Sequence, residues 1–204
     1  MIVYIESTFL LRLALLQERH ASCDDILGLC ETGDARLVIP SFCLTEPYDN
    51  LRRRQAQRQE MKLALDEEFK QLAPTSSLTK RLGDFRDLTS LLIDSADEEI
   101  KRLDEVSARV LGTAEVIPVD GSVLNAAKRH RDANDLSFQD AVVYASILSH
   151  LDRFAPEASC FIDEDKDFSD PDLVKELAQR RCKLIFRFDH GLEHLRDSLH
   201  HRRT

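Results

Sequence analysis

The sequence predicts an α/β fold, a three-layer α/β/α sandwich with a mainly parallel central sheet, on the strength of three observations. Five short apolar runs, at residues 2–5, 37–39, 115–119, 159–162 and 183–186, have the length of strands. Polar residues hardly interrupt them, as expected of strands covered on both faces. Between almost every pair of runs lies a stretch with apolar residues every three or four positions, so strands alternate with amphipathic helices.

In chain order, helices are expected over 8–18 and 22–31. A long helix over 48–73 carries Leu51, Met61, Leu63, Leu65 and Phe69 until Pro74-Thr75-Ser76-Ser77 breaks it. The next places Leu82, Phe85, Leu88, Leu92, Ala96, Ile100, Leu103, Val106 and Val110 at intervals of three and four, and Gly112 stops it. Residues 48–112 thus read as an antiparallel helical hairpin inserted into one domain of residues 1–188, because no linker is long enough to make them independent. Asp120 opens a helix carrying Val123, Leu124 and Ala127, and Ser137 opens one that runs to about Leu151. Asp170-Pro171 starts another, with Asp as N-cap and Pro in the first turn. Residues 189–204 are expected to form a frayed tail.

Composition narrows the function. The 204 residues carry a net charge of −9 and are 43% hydrophobic, which suits one globular domain and excludes a broadly basic coat for a polyanion. Contacts with nucleic acid must therefore be local. Cys23, Cys30, Cys43, Cys160 and Cys182 lack zinc-ligand spacing and sit among apolar neighbours, as buried thiols in a reducing compartment would. The N-terminus has no basic leader and no run approaches the length of a membrane span, so a cytoplasmic location is expected.

Ligands of open parallel sheets bind beyond the carboxyl ends of the strands. Glu6 follows the first run at once, and Asp163 and Asp165 follow the fourth. Glu46 leaves the second, and Asp140 sits at the start of the helix from Ser137. Each has an ordinary structural alternative. Glu6 suits the first turn of a helix, Ser137-Phe138-Gln139-Asp140 reads as a capping box, Glu46 before Pro47 is a common helix start, and the acids 163–167 suit a solvated turn. Both readings stay open for each residue alone; the ordered set favours a site.

The stretches "VYIESTFLLRL", "LVIPSFCLTE", "AEVIPVDGSVLNAA", "LSFQDAVVYASILSHL" and "CFIDEDKDF" together resemble the PIN-domain family, metal-dependent nucleases that include the toxins of many bacterial toxin–antitoxin pairs. The resemblance implies that Glu6, Glu46, Asp140 and Asp165 are catalytic. It also implies that Glu6, Asp140, Asp163, Asp165 and Asp167 hold metal. The family pattern of a hydroxyl residue, a variable residue and Asp maps onto Asp163, Glu164 and Asp165, which makes Asp165 the primary choice, Asp163 an added ligand and Asp167 an alternative. Hard oxygen donors point to Mg²⁺ or Mn²⁺. The substrate implied is RNA, cut to leave a 5′-phosphate and a 3′-hydroxyl, and the partner implied is an antitoxin or other protein.

Glu6 stands where the family usually has Asp. Its extra methylene displaces an oxygen by about an ångström, an error that can cost on the order of a hundredfold in rate. The alternative reading is accordingly a weak or inactive PIN scaffold that binds RNA or a protein. A phosphatase using an aspartyl nucleophile would want an Asp pair where the chain has Glu6-Ser7-Thr8. For phosphate contacts, Arg52, Arg53, Arg54 and Arg58 follow Glu46 on one helix, with Lys128, Arg129 and Arg131 a second patch; a solvated charged face is the alternative for both. His190 and His194 have i,i+4 spacing but lack the rest of a zinc motif. The exposed hairpin is the expected surface for a homodimer or another partner.

Overall fold

The computed structural model describes residues 1–74 and 79–203, with side chains for 1–74 and 89–201. Five parallel strands, β1 (Ile2–Tyr4), β2 (Arg36–Pro40), β3 (Glu115–Ile117), β4 (Ser159–Ile162) and β5 (Cys182–Ile185), form one sheet in the order β3-β2-β1-β4-β5. Every residue of β1 and β4 is buried, which is why those runs read as uninterrupted apolar segments.

Side-chain alternation divides the sheet between two helical layers. Tyr4 faces α6 (Phe138–Phe154), where its hydroxyl lies 2.8 Å from His150 Nδ1. Phe161, its register partner on β4, packs edge-on against Phe168, which stacks on Tyr144 of α6. Beside α6 lie α5 (Gly121–Asn134) and α7 (Pro171–Gln179), the latter tied to it by the Tyr144 hydroxyl donating to the Leu173 carbonyl at 3.2 Å. The other layer holds α1 (Ser7–Ala14), α2 (His20–Glu31) and α8 (Phe188–Arg203), with Phe9 against Phe188. Asp120 and Asp170 cap α5 and α7 as expected, each accepting a backbone N–H two residues ahead at 2.8 Å.

The inserted hairpin consists of α3 (Glu46–Leu72) and α4 (Thr79–Thr113), between β2 and β3. Arg58 pairs with Glu99 through two bonds of 3.0 and 2.9 Å, and Tyr48 donates to Asp104 at 2.9 Å. The base of α4 is held on the domain by buried Leu103, Val106 and Val110 and by Arg102 Nε donating to the Ala14 carbonyl at 2.8 Å. On α3 only Leu51 and Phe69 of the expected apolar positions are buried, and Met61 and Leu63 stand exposed. The break at Thr75-Ser76-Ser77 and the side chains of Leu82, Phe85 and Leu88 lie outside the described residues.

The chain end differs from the frayed tail expected over 189–204. It is helical as α8, because Phe188, Leu192 and Leu195 make a buried stripe packed on α2. All five cysteines are free and buried. Among the described residues no helix is long and apolar enough to cross a membrane.

The order of strands creates the crevice. From β1 the chain winds to β2 and β3 through α1 to α4 on one face, whereas α5, α6 and α7 connect β3, β4 and β5 on the other. Neighbours β1 and β4 therefore send their following segments to opposite faces, the switch point at which open sheets bind ligands.

Candidate functional site

Continuing the β1/β4 register of Tyr4 with Phe161 by two residues sets Glu6 opposite Asp163. Both are buried, Asp163 completely and Glu6 with 7% of its surface exposed. The Asp163 N–H donates to the Ile185 carbonyl at 3.0 Å, prolonging the β4/β5 pairing and fixing the backbone. Glu6 is the N-cap of α1. Its Oε1 accepts the Thr8 N–H at 2.7 Å and the Thr8 hydroxyl, while Oε2 accepts the Ser7 hydroxyl at 2.7 Å. Asp163 Oδ1 accepts the Asp165 N–H at 3.0 Å and lies 3.5 Å from the Thr8 hydroxyl. Asp163 Oδ2 is buried with no hydrogen-bond partner.

This pair carries the electrostatic tension of the molecule. Burial, and then the charge of Glu6, push the Asp163 carboxyl well above the usual carboxylate range. Burial also raises Glu6, opposed by the Thr8 and Ser7 hydrogen bonds. Repulsion from the Glu6 charge is the larger coupling on Asp163, and a hydrogen bond between the two carboxyls, formed once one of them carries a proton, raises Asp163 further and lowers Glu6. Two buried like charges need a proton or a cation between them. Cys43, from the 3-10 turn Ser41–Leu44 after β2, lies nearby; burial, with Glu6 and Glu46 adding to it, raises its thiol and keeps it neutral.

A second set of acids surrounds this pair. Ser137 caps α6, accepting the Asp140 N–H at 3.1 Å and donating its hydroxyl back to Asp140 Oδ2. Half-buried Asp140 is raised by burial first, opposed by Ser137, with the charges of Asp165, Asp167 and Glu46 adding to the shift. All four carboxylates thus share one electrostatic field. Asp165 is half-buried and caps the 3-10 turn Lys166–Ser169 by accepting the Asp167 N–H at 3.0 Å, and Asp167 is exposed. Glu46, half-buried at the start of α3, lines a cleft of about 370 Å³ with Phe42, Asp49, Arg52, Arg53 and Gln139.

The expected ligands are therefore distributed as an inner pair, Glu6 and Asp163, and an outer set, Asp140, Asp165, Asp167 and Glu46. Among the described residues, no three His, Cys, Asp or Glu side chains are gathered closely enough to hold a metal ion. In chemistry the inner pair still fits a hard divalent cation: its donors are oxygens and Asp163 Oδ2 is unpartnered. Mg²⁺ in particular keeps several waters and is commonly held by one or two carboxylates plus substrate phosphates.

Of the arginines, Arg52 and Arg53 are exposed on the cleft beside Glu46, and Arg54 is half-buried. Arg58 differs: its ion pair with Glu99 turns it into the hairpin. In the second patch, on α5, Arg131 pairs with Asp132, Arg129 bonds the Asn125 carbonyl, and Lys128 is exposed. His194 is lowered by burial, and with His190 it joins no group of ligands among the described residues.

Sequence reasoning gave Ser7, Thr8 and Glu164 no part in the site, whereas the capping box from Ser137 to Asp140 and the buried thiol of Cys43 were expected and are found. The hydroxyls of Ser7 and Thr8, directly after an acid at a helix start, were a readable sign of N-capping. Glu164 was readable from strand alternation, which sends it away from the face taken by 163 and 165.

A family model described as PIN domain matches residues 3–168. Comparison with the curated proteins and with the solved structures found no match.

Proposed function

Because the chain belongs to the PIN-domain family, whose members are generally nucleases, we propose that it is a divalent-cation-dependent endoribonuclease acting at the crevice between β1 and β4. The observation that carries this reading is the buried Glu6–Asp163 pair with Asp163 Oδ2 unpartnered. Glu6 and Asp163 would hold Mg²⁺ or Mn²⁺, with Asp165 and Asp167 as outer acids. When bound, the ion would acidify water and offset charge on the phosphate oxygens.

The chain's own residues divide the remaining work. Arg52 and Arg53 hold RNA phosphates on the cleft beside Glu46. Asp140, whose carboxyl burial raises above the usual carboxylate range, accepts the proton of the attacking water. A new oxygen–phosphorus bond forms, the bond to the 3′-oxygen breaks, and that oxygen takes a proton from solvent. The products carry a 5′-phosphate and a 3′-hydroxyl. A toxin role in a two-gene module, a cytoplasmic setting, and an antitoxin or second copy docked on the hairpin belong to the same proposal; co-purification from the native cell tests them.

One observation favours a second reading. Both Glu6 oxygens are occupied by Ser7 and Thr8, so a PIN scaffold of weak activity that binds RNA or protein would also keep this pair. The deciding experiment is cleavage of a mixed RNA pool with Mg²⁺ or Mn²⁺ by the native chain, Asp163→Asn, Asp140→Asn and Glu6→Asp. Metal-dependent cutting lost in Asp163→Asn and Asp140→Asn supports the nuclease. Cutting by neither native nor Glu6→Asp protein, or by Glu6→Asp alone, favours the scaffold.

A further inference from the structure

Glu164 lies between the two acids of the β4 loop and faces the other way. Its side chain is 8% exposed and held by two guanidinium groups. Arg12 donates to Oε2 from Nε at 2.8 Å and approaches the same oxygen from Nη2 at 2.7 Å, while Arg19 Nη1 donates to Oε1 at 2.6 Å. Both arginines are themselves largely covered, with 28% and 24% of their side chains exposed.

Two features separate this clamp from a surface ion pair. First, Arg12 lies in the last turn of α1 and Glu6 caps its first. The same short helix therefore meets the β4 loop twice, through Glu6 with Asp163 at one end and Arg12 with Glu164 at the other. Second, Arg19 holds a left-handed backbone, φ 67°, at the start of α2 without making a side-chain cap there. That conformation is strained for a residue with a Cβ, and it persists where surrounding contacts over-determine it. Here the side chain reaches Glu164 and comes within 4.0 Å of Asp189. A buried ion pair is weak evidence of stabilisation because desolvation offsets most of the attraction. Its sharper effect is on position.

From this geometry we infer that the Arg12–Glu164–Arg19 clamp locks the loop after β4 in the register that turns Asp163 against Glu6 and holds Asp165 beside it, which makes Glu164 a positioning residue for the site. The inference rests on the nuclease reading for its consequence in activity, not for the clamp itself. With one anchor gone, α1 and the loop can slide past each other, and a shift of about an ångström at such a site is worth on the order of a hundredfold in rate.

The test compares Glu164→Ala and Glu164→Gln with Glu99→Gln, which breaks an equally buried ion pair in the hairpin (side chains 18% and 12% exposed). Three quantities are measured on the full chain: the melting temperature, amide hydrogen exchange at Asp163 and Asp165 without cation, and Mn²⁺ affinity by electron paramagnetic resonance. Loss of the clamp should speed exchange at both amides at least tenfold and weaken Mn²⁺ binding at least tenfold. Glu99→Gln should lower the melting temperature while leaving both within twofold. Unchanged exchange in the Glu164 variants, or equal changes in Glu99→Gln, overturns the inference. Should the native chain bind no Mn²⁺, the nuclease reading falls and the exchange data still decide the clamp. If Glu164→Ala does not fold, Glu164→Gln and Arg12→Ala, which removes one arm, carry the same comparison.

Discussion

Replacing Asp163 with Asn should make the cation-free protein more stable and leave it unable to cut RNA. Asn keeps the shape and the acceptor that takes the Asp165 N–H at 3.0 Å, removes a charge from a fully buried site, and offers an N–H donor to Glu6 in place of the bare Oδ2. A buried polar group without a partner costs about 1–3 kcal/mol, more when charged. Recovering 2 kcal/mol raises the melting temperature of a chain this size by about 4–8 °C. The sign with pH follows from the raised carboxyls of Asp163 and Glu6. Below the unfolded carboxylate range, near pH 4, both are protonated in folded and unfolded chains and the pair costs nothing. As pH rises, the unfolded chain releases its protons first, so the native protein loses stability until the folded pair has titrated. Thermal melts from pH 4 to 8 without divalent cation should therefore show Asp163→Asn above native at pH 8, with the gap closing toward pH 4. Saturating Mn²⁺ should raise the native melting temperature and leave the variant unmoved, since a ligand stabilises only the state that binds it. A variant less stable than native at pH 8, or a gap that widens as pH falls, would refute the account of Asp163 as a strained charge awaiting a cation.

Further expectations are accessible to ordinary assays. Glu6→Asp can still cap α1 but draws its carboxylate back from Asp163, so single-turnover cleavage should fall by about a hundredfold with little change in melting temperature. Arg52→Ala and Arg53→Ala should each weaken RNA binding and reduce the slope of log affinity against log salt by about 0.7, measured by fluorescence anisotropy; an unchanged slope removes the cleft from the substrate path. Gly191→Ala places a Cβ 2.5 Å from Ile162 Cδ1 and 3.0 Å from Cγ2, so no single rotation of Ile162 relieves the clash. Denaturant unfolding should show a loss of about 1–3 kcal/mol, and no loss would mean that α8 is not seated on β4.

Much of the fold was legible because its signals are local. Runs such as 2–5 and 159–162 are strands since both faces are buried, and Asp120 and Asp170 cap helices through bonds spanning two residues. Local signals misled where the deciding contact was distant. Residues 189–204 looked like a loose end until α2, far away in the chain, covered the stripe of Phe188, Leu192 and Leu195. Arg58 looked as available as Arg52 until α4 brought Glu99 to it.

The amino-acid order alone determined that acids would stand at the ends of the strands and helices of a parallel sheet, because apolar runs and caps are set by neighbours a few residues away. Only the tertiary structure decided which acids meet. The strand order puts β1 beside β4, their register brings Glu6 to Asp163, and alternation along the backbone sends Glu164 to Arg12 and Arg19. A pairing between residues 157 positions apart depends on which strands become neighbours, and no local pattern encodes that choice.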